Sequence, residues 1–171
     1  MGQSAMQMLS CLKAASKISF LSVVVYLFGV PAVAAVLLGP GLAGADVIQD
    51  DGESGTSAIG AWHISSGANP YGSDSLYSRG IGDSYTFNVN LATPGEYQVF
   101  AWWTEWGNRS SSVPIDITDL GGTATVTVNQ LRDGGQWNQL GTTWNFGTTA
   151  TITVRSLGNG TTSADAIMLV P

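Results

Sequence analysis

The sequence contains little charge, one cysteine and one histidine. Charged residues make up 11% of its 171 residues, the cysteine is Cys11 and the histidine is His63. Residues 46–171 therefore lack cysteine, which excludes disulfides, thiol catalysis and thiolate metal sites from that part. The length suits one domain of ordinary size with its own hydrophobic core.

The charges that are present are unevenly distributed. Both lysines, Lys13 and Lys17, precede Asp46, whereas all twelve acidic residues lie at or after Asp46. Four arginines against twelve acids give residues 46–171 a formal charge of −8. Such an acidic segment argues against nucleic acid and against anionic lipid as partners.

Residues 1–45 have the pattern of an export signal. Lys13 and Lys17 precede an uncharged apolar run from Ile18 to Leu38, and Ala43-Gly44-Ala45 has the small-residue pattern of a cleavage site. Because the run is long enough to cross a bilayer, the leader helix is either a cleaved signal peptide or an uncleaved membrane anchor. Both alternatives predict that residues 46–171 are extracellular or at the cell surface, with membrane contact only through an uncleaved leader.

After residue 46 the apolar residues recur at every second position. This alternation places the following residues on the buried faces of strands: Tyr85, Phe87, Val89 and Leu91; Val113, Ile115 and Ile117; Ala124, Val126 and Val128; Ala150, Ile152 and Val154. The pattern predicts an all-β domain, a β-sandwich or jelly roll of about nine or ten antiparallel strands. Turn residues separate the runs, and Asp133-Gly134 and Asn159-Gly160 predict primed hairpin turns.

Three of the six tryptophans lie close together, at positions 102, 103 and 106. In a strand from Glu96 to Thr104, Trp103 shares the face of Tyr97, Val99 and Ala101, so it is predicted to be core, whereas Trp102 lies on the opposite face. Trp106 follows in a polar loop.

Sugar recognition needs a flat apolar ring flanked by amide, guanidinium or hydroxyl groups. Trp106 with Asn108 and Arg109 offers that combination, and Trp137 and Tyr71 also have amide neighbours. We hypothesise a sugar platform of Trp106 with either Trp102 or Trp137; the alternative is that these rings close the loops and ends of the sandwich. The candidate ligand-binding residues are Tyr71, Trp102, Trp106, Asn108, Arg109 and Trp137.

Asp165 lies in a C-terminal strand that is apolar on both faces. A buried carboxylate needs a partner, and Arg109 is our predicted ion-pair partner for it. Such a pair would make Arg109 a structural residue rather than a ligand-binding one.

Several short sequence pieces occur in a recognisable order. They are Asp50-Asp51-Gly52, Gly60-Ala61-Trp62, the strand from Gly95 to Trp103, Asn108-Arg109 followed by Pro114, Val128-Asn129-Gln130, the run from Gly134 to Gly141, and Ala164-Asp165-Ala166. With these pieces, residues 47–170 resemble the golvesin C-terminal-like domain, also described as a xanthan-lyase carbohydrate-binding-like domain. The resemblance implies a bacterial extracellular β-sandwich that supports a catalytic domain and binds carbohydrate.

The sequence gives little support for catalysis or for a cofactor. His63 has no Ser or Asp at a spacing that suggests a triad, and no motif defines a glycosidase carboxylate pair. We therefore expect a noncatalytic protein. Asp50, Asp51 and Glu53 could supply oxygen ligands for a structural calcium ion, or form a solvated acidic loop; no other cofactor is expected.

Two functions follow from these features. The first is a secreted noncatalytic module that binds polysaccharide or cell-wall glycan. The second is a self-associating structural subunit of an extracellular matrix, surface layer or filament, since Thr/Val-rich strands can pair at an open sheet edge. A small hydrolase is the third class of function considered.

Overall fold

The computed structural model describes residues 44–171. The predicted leader helix and the choice between signal peptide and membrane anchor lie outside the described residues. Within residues 44–171 no helix is long and apolar enough to cross a membrane.

Residues 44–171 form twelve β-strands and no α-helix. The strands are β1 (Val47–Asp50), β2 (Thr56–Ile59), β3 (His63–Ile64), β4 (Leu76–Ser78), β5 (Ile81–Asn90), β6 (Gly95–Trp102), β7 (Val113–Asp119), β8 (Gly122–Val128), β9 (Asn138–Phe146), β10 (Thr149–Leu157), β11 (Thr162–Ala164) and β12 (Ala166–Val170). The all-β prediction is confirmed, but the predicted nine or ten strands are too few. The short strands β3, β4 and β11 explain the difference, because two or three residues show no periodicity.

Two large sheets form a β-sandwich. One has the order β1-β12-β6-β9 and the other β2-β5-β10-β7-β8, and each of their strand pairs is antiparallel. Apolar side chains from both sheets form one buried cluster that includes Val99 and Leu169 from the first sheet and Phe87 and Ile152 from the second. The sheets therefore pack face to face, as in other sandwiches.

Alternation predicted most of this core. The predicted faces of β5, β7 and β10 are all buried, and Trp103 is only 3% exposed. The face predicted for β8 is less buried, because Ala124 is exposed and Val126 and Val128 are half-buried. This strand lies at the edge of its sheet, where part of each side chain faces solvent.

A third, smaller sheet has the order β11-β4-β3. The side chain of Gln130 fixes β11: its Nε2 donates to the carbonyl of Ser163 at 2.8 Å, and its Oε1 accepts from the amide of Ser163 at 2.7 Å. Gln130 thus occupies the hydrogen-bonding position of a neighbouring strand, which holds the small sheet next to the segment that follows β8.

The two predicted hairpin turns are not hairpins. Asp133-Gly134 lies between β8 and β9, and Asn159-Gly160 lies between β10 and β11; in each case the flanking strands belong to different sheets. Gly160 has a φ of +152°, and a Cβ there would lie 2.8 Å from Cα of Ser110. The glycine at 160 therefore permits a close backbone approach between two loops rather than a tight turn.

Candidate functional site

A polar cleft of about 140 Å³ lies beside the small sheet. It is lined by Ser65, Ser66, Gly67, Tyr77, Arg79, Trp106, Asn108, Arg109 and Thr161. These residues come from the segment after β3, from β4 and its end, from the β6–β7 loop and from the residue before β11. Three of the predicted ligand-binding residues, Trp106, Asn108 and Arg109, meet in this cleft.

Main-chain hydrogen bonds hold the β6–β7 loop against β11. The amide of Ser110 donates to the carbonyl of Thr161, and the amide of Thr161 donates to the carbonyl of Asn108, both at 2.9 Å. Arg109 and Thr161 thereby form a short parallel bridge. The loop's position is set by its backbone, which leaves the side chains of Trp106 and Asn108 exposed.

Trp106 is the large ring that the cleft presents to solvent. Its side chain is 51% exposed, whereas Trp103, three residues earlier, is buried. A large apolar ring kept in solvent loses the free energy of burial that a core position would provide, about 25 cal/mol per Å². Exposure of this kind in a polar cleft is typical of a ligand contact.

Uncharged hydrogen-bond acceptors hold the guanidinium of Arg109 in place. Its Nε donates to the carbonyl of Thr104 at 2.8 Å, and its Nη2 donates to Oγ1 of Thr104 at 2.7 Å and to Oγ of Ser65 at 2.8 Å. Thr104 Oγ1 also contacts Ser75 Oγ and Ser163 Oγ at 3.1 and 3.2 Å. A buried hydroxyl network therefore holds Arg109 in one orientation.

Gly67 completes this support. A Cβ at position 67 would lie 2.5 Å from the side chain of Thr104 and 3.0 Å from Nη2 of Arg109. The chain can pass this close to the network only because residue 67 has no side chain.

The predicted ion pair between Arg109 and Asp165 is wrong. Within residues 44–171, Arg155 and Asp116 are the one pair with a nitrogen–oxygen distance within 4 Å, and it measures 2.6 Å. Asp165 accepts instead from the amide of Tyr71 at 3.1 Å, and its Oδ2 has no hydrogen bond to any described residue. Alternation showed that Asp165 is buried but could not identify its partner.

The surroundings of the two side chains shift their pKa values. Burial lowers the pKa of Arg109, and the charge of Asp165 opposes that effect. Burial, together with the charges of Asp51, Asp50 and Asp74, raises the pKa of Asp165 to about 8. Burial therefore favours the neutral form of Asp165.

The other predicted ligand-binding residues form a separate aromatic cluster. Ring centroids of Tyr71, Trp102 and Trp137 lie 5.1 to 5.8 Å apart, and all three side chains are half-buried. Nε1 of Trp102 donates to the carbonyl of Asn69 at 2.9 Å. None of the three lines the cleft, so the structure does not bring Trp106 together with Trp102 or Trp137 there.

The acidic residues near the N-terminus bind the main chain. Oδ1 of Asp50 accepts from the amide of Asp51 at 3.1 Å, and Oε2 of Glu53 accepts from the amide of Asp50 at 3.2 Å. Burial and the charges of Asp50 and Asp74 raise the pKa of Asp51 to about 7. In the described part of the chain, no group of three or more His, Cys, Asp or Glu residues is arranged to hold a metal ion. Asp50, Asp51 and Glu53, which were considered as calcium ligands, do not form such a group.

Sequence reasoning missed the six other residues that line the cleft. Tyr77 and Arg79 are the aromatic and the charged residue among them. They lie in and just after the three-residue strand β4, which has no detectable period. His63 pairs with Tyr77 across β3 and β4, with ring centroids 5.6 Å apart, and is exposed. Arg79 could have been noticed because it is one of four arginines after residue 46.

Comparison with known proteins relates residues 47–171 to the Golvesin C-terminal domain family, which matches that range. A xanthan lyase from Bacillus sp. strain GL1 is 33% identical over 135 residues, covering 72% of this chain and 14% of the lyase. The structure of a Paenibacillus xanthan lyase is 40% identical with a TM-score of 0.69, over 73% of this chain and 13% of that one. The chain therefore corresponds to a small part of either lyase.

Solved carbohydrate-binding modules have a similar fold. A family 35 module from Clostridium thermocellum has a TM-score of 0.54 at 17% identity, covering 73% of this chain and 97% of the module. One from Cellvibrio japonicus Abf62 has a TM-score of 0.56 at 11% identity, over 74% and 94% of the two chains. At these identities the likeness concerns the fold alone. Because the family match covers residues 47–171, which is most of the sequence, the chain belongs to the Golvesin C-terminal domain family.

Proposed function

We propose that this protein is a noncatalytic module that binds polysaccharide or cell-wall glycan through the cleft at Trp106. The observation that carries the proposal is the exposed Trp106 ring, which lies next to Asn108 and the immobilised Arg109. An apolar ring beside amide and guanidinium donors is suited to the C–H face and the hydroxyl groups of a pyranose. Related lyases named for xanthan, and modules named for carbohydrate binding, support the choice of ligand.

The proposal includes export. The leader pattern of residues 1–45 supports secretion, as either a cleaved signal peptide or an anchor, with the β-sandwich on the outside of the cell. Glycans of the cell wall or of extracellular polysaccharides are the ligands that a domain in this location would meet.

The test measures retention of the purified protein on insoluble polysaccharides and its tryptophan fluorescence with soluble ones, starting with xanthan. We expect saturable binding that Trp106→Ala weakens by at least about tenfold, or about 1.4 kcal/mol, because the stacking surface is lost. Trp137→Ala is the matched control, since it removes the same ring type from the aromatic cluster. Loss of binding in Trp137→Ala with normal binding in Trp106→Ala would move the site to that cluster. Both variants need an unfolding midpoint close to that of the parent.

Strand β8 favours self-association as a second candidate function. It is an edge strand of seven residues, most of them exposed, and it contains no charged residue or proline. Natural proteins often protect exposed edges with such residues, so an unprotected one can pair with another chain. Concentration-dependent assembly without glycan, abolished by Ala124→Lys, would favour this candidate over the first.

A further inference from the structure

The arginines of this acidic protein are concentrated in the cleft. Residues 46–171 contain four arginines and twelve acidic residues. Two of those four arginines, Arg79 and Arg109, line the cleft, and no carboxylate does so among the described residues. The cleft is therefore a positively charged site on a negatively charged protein.

Both guanidinium groups have hydrogen-bonding capacity left over. Arg109 uses Nε and Nη2 for Thr104 and Ser65, whereas its Nη1 donates to no described residue. The side chain of Arg79 is exposed, makes no hydrogen bond or ion pair with any described residue, and lies over the Tyr77 ring, with Cζ 5.4 Å from the centroid. Arg155 shows the contrast, because both Nε and Nη2 contact Asp116.

The two arginines also repel each other. Burial lowers the pKa of Arg109 most, the charge of Asp165 opposes that effect, and the charge of Arg79 lowers the pKa by a smaller amount. An anion placed between two like charges relieves their repulsion and gains from both. Two arginines that line one cleft therefore favour a negatively charged ligand.

We infer that the cleft selects a saccharide that carries a carboxylate, that is, a uronic acid residue, with Arg79 and Arg109 binding the carboxylate and Trp106 packing on the sugar ring. This inference rests on the proposed glycan-binding function and narrows its ligand class. The guanidinium of Arg79 can offer two parallel N–H groups to the two oxygens of a carboxylate, and Arg109 can add its Nη1. Such charge-assisted bonds are roughly twice as strong as neutral ones. Asn108 and Thr161 remain available for sugar hydroxyls.

The experiment compares sugars that differ only in the carboxylate. The indole N–H signal of Trp106, assigned by its absence in Trp106→Phe, is followed by NMR during titration with D-glucuronate, D-galacturonate and D-mannuronate and with the matching neutral hexoses. We expect at least one uronate to bind at least about tenfold more tightly than its neutral counterpart. The difference should shrink with added salt.

Matched variants assign the charge effect to the cleft. Arg79→Gln should abolish the preference for uronate, whereas Arg132→Gln, which changes the net charge equally but lies outside the cleft, should retain it. Equal binding of uronates and neutral sugars would overturn the inference and leave glycan binding intact. No response to any sugar, monomeric or polymeric, would overturn both. A shift of equal size with acetate or sulfate would show an anion site without sugar recognition and would also overturn the inference.

Discussion

Arg109 and Asp165 show how burial treats two charged side chains differently. Arg109 keeps its charge because a carbonyl and two hydroxyl groups accept its N–H donors. Asp165 has one amide donor and three acidic neighbours, so burial favours its neutral form and raises its pKa to about 8. Arg109 is therefore rigid and positively charged, which suits ligand recognition. Asp165 destabilises the fold when it ionises.

The raised pKa of Asp165 predicts a pH dependence of stability. Between pH 3.8, the ordinary pKa of this group, and about pH 8, the unfolded chain has lost this proton while the folded protein keeps it. The contribution of Asp165 to stability is therefore complete below that window and is lost as the pH rises through it. Asp51, whose pKa is raised to about 7, acts with the same sign.

We expect Asp165→Asn to stabilise the protein at pH 8 more than at pH 5. The amide keeps an oxygen for the Tyr71 amide and cannot ionise. Thermal midpoints at pH 5, 7 and 8.5 measure the effect, with Asp133→Asn, on the surface, as the control. If Asp165→Asn destabilised equally at every pH, Asp165 would be an ionised, paired carboxylate.

At the scale of elements, the strongly periodic strands were predictable and the short ones were not. The alternating faces of β5, β7 and β10 identified their buried residues because a long strand repeats its signal. Strands β3, β4 and β11 carry no such signal, yet they build one side of the cleft. The prediction of a hairpin turn at Asn159-Gly160 was wrong because local sequence does not show that the next strand belongs to another sheet.

Part of the candidate site was predictable from the sequence and part was not. Trp106, Asn108 and Arg109 lie within four consecutive positions of a polar loop, so local composition was enough to identify them. Arg79 reaches the cleft only through the pairing of β4 with β3 and β11. The partner of Arg109 was mispredicted because alternation gives the face of a residue and not its contacts.

The side chain of Gln130 should make a measurable contribution to the stability of β11, because it bonds both main-chain groups of Ser163. Gln130→Ala would leave the amide and the carbonyl of Ser163 without partners in a buried position, at a cost of about 2–3 kcal/mol. Urea unfolding followed by circular dichroism measures the loss. Asn129→Ala removes the neighbouring side-chain amide, which is half-buried and accepts one hydrogen bond, from the main-chain amide of Leu131. This change should cost much less. Equal losses of stability in both variants would contradict this role of the Gln130 side chain.

At the scale of the whole domain, the cleft and the core should unfold together. The network around Thr104 joins β11 and the β6–β7 loop to the sandwich, and Trp103, directly before it, is part of the core. We expect coincident transitions by tryptophan fluorescence and far-ultraviolet circular dichroism. A glycan at ten times its Kd should then stabilise the whole domain by about 1.4 kcal/mol. A fluorescence transition that precedes the circular dichroism transition, and that alone shifts when ligand is added, would contradict this coupling.

In the β6–β7 loop the main chain makes the anchoring hydrogen bonds, and the side chains of Trp106 and Asn108 face the cleft. Because the carbonyl groups of Trp106 and Asn108 anchor the loop, the chemical identity of those two side chains is unconstrained by the anchoring. Their exchange for other residues alters what the cleft touches while leaving the scaffold in place. The loop is accordingly a suitable position for a combinatorial library that varies ligand preference.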